Sequence, residues 1–179
     1  MRRIYIFVFL CLVLSDTQIK CVFAESTGWG KVGARVGFSD SRNEEEFNQY
    51  DGFATYNLPW VFNIKNGWQL DTYIEMNAGI LEGGGDAGIV VSAGPGLYLS
   101  SPRKRLLLNA GVNPTLVSET NYGREDIGGP FQFTLYIGLS WIFYRGLSVD
   151  YRLQHMSNAG IYDENPGINQ HMFGISYNF

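Results

Sequence analysis

Apolar and polar residues alternate with period two along most of this chain, and helical spacing is scarce, so the pattern predicts strands. Eight runs carry it: 29–38, 49–62, 67–80, 88–99, 105–116, 130–143, 146–157 and 169–179. Strand side chains point alternately to opposite faces, so each run has one mostly apolar face. The third sets Trp68, Leu70, Ile74 and Met76 against Gln69, Asp71, Tyr73, Glu75 and Asn77. The sixth sets Phe131, Phe133, Leu135, Ile137, Leu139 and Trp141 against Gln132, Thr134, Gly138 and Ser140.

The polar faces also hold opposite charges: Lys31, Arg35, Asp71, Glu75, Asp150 and Arg152. A closed barrel would turn these inward, where they can neutralise one another. Aromatic residues gather near run ends, as at Trp29, Tyr50, Trp60, Trp68, Trp141 and Tyr144, like the interfacial girdles of a membrane barrel. The joins alternate in length. Long ones at 39–48, 81–87, 117–129 and 158–168 alternate with short ones at 63–66, 100–104 and 144–145. That asymmetry is the mark of an outer-membrane barrel, with long loops outside and short turns in the periplasm. The fold expected is therefore all-β: an eight-stranded antiparallel transmembrane outer-membrane β-barrel. A secreted β-sandwich or a lipocalin-like barrel alternates too. Either would need its large apolar face inside and its charges outside.

Composition narrows the setting. Arg2 and Arg3 precede an apolar stretch from Ile4 to Leu14 that is too short to span a bilayer, and Val22-Phe23-Ala24 offers a cleavage site. Residues 1–24 are expected to be a signal peptide and 25–179 one barrel domain. Cys11 and Cys21 both fall in the leader, leaving no disulfide framework or thiolate metal site. Lipidation at Cys21 is the minor alternative, because small residues do not precede it. Losing Arg2, Arg3, Lys20 and Asp16 with the leader leaves 10 basic and 16 acidic residues, a formal charge of −6. Such a chain is not built for nucleic acid. Tyr177 and the terminal Phe179 resemble the end signal read by the barrel-assembly machinery.

Candidate chemistry lies at the end of the chain. His155 and Ser157 continue the apolar face of Leu147, Val149, Tyr151 and Leu153, so polar groups interrupt a lipid-facing row near one rim. Asn169 and His171 share that parity on the last run. A symmetric hairpin would place Ser157 opposite Asn169 and His155 opposite His171. Ser157 is a candidate nucleophile and His155 its base. The group that orients the base could be Asn169, through its carbonyl, or Asp163 or Glu164 from the loop. Asn158 and the backbone N–H of Gly160 are candidate oxyanion donors. No cofactor is called for. His155 and His171 lack a third partner for a metal. Gly83-Gly84-Gly85 with Asp86 reads as a flexible loop. Glu44-Glu45-Glu46 reads as a solvated loop or a weak site for divalent ions.

The segment His155-Met156-Ser157-Asn158-Ala159-Gly160, with Asn165-Pro166-Gly167-Ile168-Asn169 after it, resembles the outer-membrane lipid A 3-O-deacylases of the PagL family. The likeness is close over 147–179 and architectural elsewhere. It implies an eight-stranded outer-membrane barrel that hydrolyses the ester-linked acyl chain at position 3 of lipid A, with lipopolysaccharide as substrate. It also implies base and nucleophile roles for His155 and Ser157. The family's founding members carry a Glu where this chain has Asn169. A non-enzymatic small barrel, adhesive or structural, is the rival reading, and whether a homodimer forms is not legible.

Overall fold

A computed structural model describes residues 20–23, 27–40 and 44–179. Its strands are β1 (Lys20–Phe23), β2 (Gly28–Ser39), β3 (Phe47–Asn63), β4 (Gln69–Gly83), β5 (Asp86–Ser100) and β6 (Leu106–Val117). After them come the short pair β7 (Asn121–Tyr122) and β8 (Glu125–Asp126), then β9 (Phe131–Tyr144), β10 (Leu147–Ser157) and β11 (Ile168–Asn178). Eight long strands pair antiparallel with their neighbours, and β3 bonds both β2 and β4, so the sheet closes on itself. Closure removes the free edges an open sheet would expose. The expected leader lies outside the described residues, except that the backbone of Lys20–Phe23 pairs with Trp60–Asn63 of β3.

The apolar faces point outward. Leu135 is 54% exposed, Ile137 62% and Ile175 57%. A belt of this kind is stable against hydrocarbon and costly against water. Lys31, Arg35, Glu75 and Arg152 are buried inside, and Asp71 and Asp150 are partly buried. This inverted arrangement excludes the sandwich and the carrier with an apolar interior. Glu75 sits centrally, 2.7 Å from Arg152 Nη1 and 3.3 Å from Arg35 Nη1. Asn77 and Asn113 also donate to it. Lys31 donates to Asp150 and Ser140, each at 2.9 Å. Asp51, absent from the expected charged set, lies 3.9 Å from Arg35 and accepts from Gln49.

Two joins differ from expectation. The join placed at 81–87 is only Gly84-Gly85, because β4 and β5 run on past the rim as a long hairpin. Both glycines have positive φ, 56° and 93°, which suits a two-residue turn matched to strand twist. The join at 117–129 contains the β7–β8 hairpin. These extensions enclose a small apolar core above the charged interior, formed by Phe47, Leu81, Val90, Val117, Tyr122, Ile127, Met156 and Ile168. Arg124 clasps the loops from outside by donating to Glu45, which holds that carboxyl below its usual range.

Candidate active site

β10 and β11 present the candidate residues at the rim with the longer connections. Alternation turns Met156 and Ile168 inward, where they pair directly across the hairpin and are almost fully buried in the rim core. Their neighbours His155, Ser157 and Asn169 therefore face outward. The hairpin register differs from the symmetric expectation by two residues. His155 lies opposite Asn169, and His171 opposite Leu153. The reason lies in the connecting loop. Asn158 donates through its side chain to the carbonyls of Glu164, at 2.7 Å, and Ile127, at 3.2 Å. Its backbone N–H donates to Asn165 Oδ1 at 3.1 Å. These bonds close the loop early and let β11 begin at Ile168.

The changed register brings two groups into contact. Asn169 Oδ1 lies 2.9 Å from His155 Nδ1. An amide oxygen only accepts, so Nδ1 carries the proton and Nε2 is left with a free lone pair. That is the tautomer a serine's base needs. Ser157 is half-buried on the same face, and among the described residues no hydrogen bond joins it to His155. Gly167, not given a role from sequence, packs against the imidazole. A Cβ there would come 2.8 Å from His155 Cε1, and the backbone has φ +70°. Only a glycine suits both demands. The signal that could have found it is the Pro166-Gly167 step just before a strand.

Other candidates fall elsewhere. Asp163 and Glu164 line an acidic recess with Asp126, Gly128 and Tyr162, whereas His155 and Asn169 line a separate cleft of about 520 Å³ with Leu135, Leu153 and Asp40. Both amide donors of Asn158 are committed to carbonyls, and Gly160 N–H donates to Asn158 Oδ1 at 2.9 Å. An oxyanion role for either would require those bonds to be given up. His171 is one step deeper on the lipid-facing wall, with Nδ1 2.8 Å from the Tyr151 hydroxyl. Among the described residues no hydrogen bond joins it to His155, and no group of three or more metal-binding side chains occurs.

The outward rim thus offers a hydroxyl, an oriented imidazole and an adjoining apolar wall, the components of ester hydrolysis at a lipid surface. The family model for "Lipid A 3-O-deacylase (PagL)" matches residues 48–178. Among curated proteins, Lipid A deacylase PagL of Bordetella bronchiseptica (strain ATCC BAA-588 / NCTC 13252 / RB50) is 34% identical over 76 residues. That stretch covers 42% of this chain and 43% of the relative, so the chain aligns with less than half of that protein's length. Among solved structures, the crystal structure of the outer membrane enzyme PagL superposes with a TM-score of 0.71 at 22% identity. It covers 83% of this chain and 99% of the other, and it shows the shared barrel fold.

Proposed function

The chain belongs to the PagL family of lipid A 3-O-deacylases, and from that premise we propose that it is an outer-membrane esterase that removes the acyl chain at position 3 of lipid A. The observation that carries the reading is the outward-facing His155–Asn169 contact beside Ser157, set where a lipid-facing row reaches the rim. An adhesive or structural barrel would have no use for a polar pair there, and family membership sets that rival aside.

The mechanism follows from the groups. Ser157 Oγ attacks the ester carbonyl carbon while His155 Nε2 takes its proton. The tetrahedral intermediate collapses, the carbonyl re-forms, and the sugar oxygen leaves with the proton from His155. Water then attacks the acyl-serine ester with the same base, releasing a free fatty acid and restoring Ser157. Asn169 Oδ1 holds the imidazole in register throughout and supplies no net charge. The 158–160 turn is the segment nearest Ser157 in sequence that could furnish an oxyanion donor, on release of Gly160 N–H from Asn158. The chemistry draws on no cofactor.

Three further roles belong to this reading. Residues 1–24 direct export and are removed, leaving 25–179 as the mature barrel. The loop end faces the cell exterior, and Phe179 is the terminal aromatic read by the assembly machinery. A single barrel holds His155, Asn169 and Ser157 together, so the reaction needs no second copy.

Mass spectrometry of lipid A tests the activity. Cells producing the protein should yield lipid A lighter by one ester-linked acyl chain. Ser157→Ala and His155→Ala should each abolish that shift while the barrel still folds, because both side chains lie outside the packed interior. A persisting shift in Ser157→Ala would end the serine-esterase reading.

A further inference from the structure

The two ends of the barrel carry opposite charge. At the loop end the described residues are acidic from Glu44 through Glu164, and Arg124 is the single Lys or Arg among them. The short-turn end is the reverse. Lys65, Arg103, Lys104, Arg105 and Arg145 occupy its three turns, and no Asp or Glu lies within 64–68, 101–105 or 145–146. All five side chains are exposed, and none makes an ion pair among the described residues. Asp71 on β4 lines the barrel mouth together with Lys104 and accepts there from Ser100 at 2.8 Å.

A second feature fixes the level of these cations. Trp29, Trp60, Trp141, Tyr144 and Tyr177 are all exposed just inside the turns, at 44–57%. Aromatic residues of this kind settle at the boundary between hydrocarbon and headgroups. The cations follow within a few residues, which puts them at the height of lipid phosphates. Arg145 shows the junction directly, its guanidinium 5.2 Å from the Tyr144 ring centroid. Arg and Lys near an anionic leaflet are attracted additively, and guanidinium forks match phosphate oxygens.

We propose that the short-turn end is a docking surface for the phosphate headgroups of anionic phospholipids in the leaflet it faces, with Arg103, Lys104 and Arg105 as its centre. This rests on the membrane placement proposed above. It adds a second lipid contact, to phospholipid, at the end of the barrel remote from the ester-cleaving site. Such contacts would hold the barrel at fixed depth and so keep His155 and Ser157 level with their substrate.

The experiment uses the folded protein in phosphatidylcholine vesicles, with spin-labelled phosphatidylglycerol or phosphatidylcholine as probe. Flotation with the vesicles and a heat-modifiable gel shift report the membrane placement by themselves. Electron spin resonance then reads lipid selectivity. The protein should restrict phosphatidylglycerol roughly three-fold or more over phosphatidylcholine. The triple variant R103Q/K104Q/R105Q should bring the ratio close to one, while Arg124→Gln at the opposite end should leave it unchanged. Equal restriction of both probes by the parent protein would overturn the proposal. So would a preference that survives when all five turn cations are neutralised in a folded barrel. Loss of the preference to millimolar inorganic phosphate at constant ionic strength would reassign the surface to free phosphate and likewise overturn it. Failure to float would instead count against the membrane placement.

Discussion

In the proposed reading Asn169 is the third residue of the site, and an amide there can do less than a carboxylate. Asn169 Oδ1 accepts from His155 Nδ1 and so fixes the tautomer, but it would bring no charge to stabilise the imidazolium that the proposed attack forms. Removing it should cost about 0.5–1.5 kcal/mol of barrier, roughly 2- to 13-fold in kcat, as an exposed hydrogen bond is lost. Asn169→Ala should show that drop with KM nearly unchanged. Asn169→Glu should equal or exceed the parent, because a carboxylate at the same place accepts the same proton and adds charge. Steady-state deacylation of purified lipid A checks both. Activity untouched in Asn169→Ala but lost in Asp163→Ala would move the orienting role into the loop. The shared outward parity of His155, Ser157 and Asn169 was readable from the sequence because strand alternation is strict. Their partners across the hairpin were not. Register depended on side-chain bonds from Asn158 to carbonyls at 127 and 164, which no local pattern reveals.

On the β10–β11 hairpin, the residues that pack into the core point away from the candidate site. Met156 sits between His155 and Ser157 in sequence, is 1% exposed, and pairs with Ile168 inside the rim core. Both flanking side chains inherit their direction from it. Met156→Ala would leave a cavity among Phe47, Leu81 and Ile127 and should destabilise the barrel by about 2–5 kcal/mol. Because the cavity lies directly beneath the site, turnover should also fall in the fraction that stays folded. Met156→Leu should restore most of both. Urea unfolding beside lipid A deacylation separates the two effects. A loss of stability with full turnover would show that the hairpin holds its register without the core. At this scale the long strands were legible from alternation. The rim core was not, because β4 and β5 extend through what read as a glycine-rich loop, and a two-residue turn at Gly84-Gly85 looks the same in sequence as a flexible tip.

For the molecule as a whole, the outside is solvated by lipid, so the inside has to satisfy itself. Strand parity alone assigned Lys31, Arg35, Asp71, Glu75, Asp150 and Arg152 to one side, and the closed sheet encloses them. Which charges meet is a matter of three-dimensional stagger, and Asp51 joined the network unannounced. Among the described residues the interior ion pairs set three cations, Lys31, Arg35 and Arg152, against three carboxylates, Asp51, Glu75 and Asp150. Glu75 is the hub, because both arginines bond it. Glu75→Gln preserves shape and most acceptors but leaves the ion-pair network with three cations and two carboxylates, and Arg152 without its ion-pair partner. Removing one partner of a buried pair typically costs about 3–5 kcal/mol. The urea midpoint of Glu75→Gln barrels in vesicles should fall accordingly, while deacylation by the folded fraction persists, since His155 and Ser157 face the opposite side of the wall. Adding Arg35→Gln restores the balance and should recover part of the loss. If Glu75→Gln unfolds at the parent's midpoint, the network is not what holds the barrel together. If the double variant is no more stable than the single one, the loss comes from the geometry around Glu75 and not from the charge it supplies.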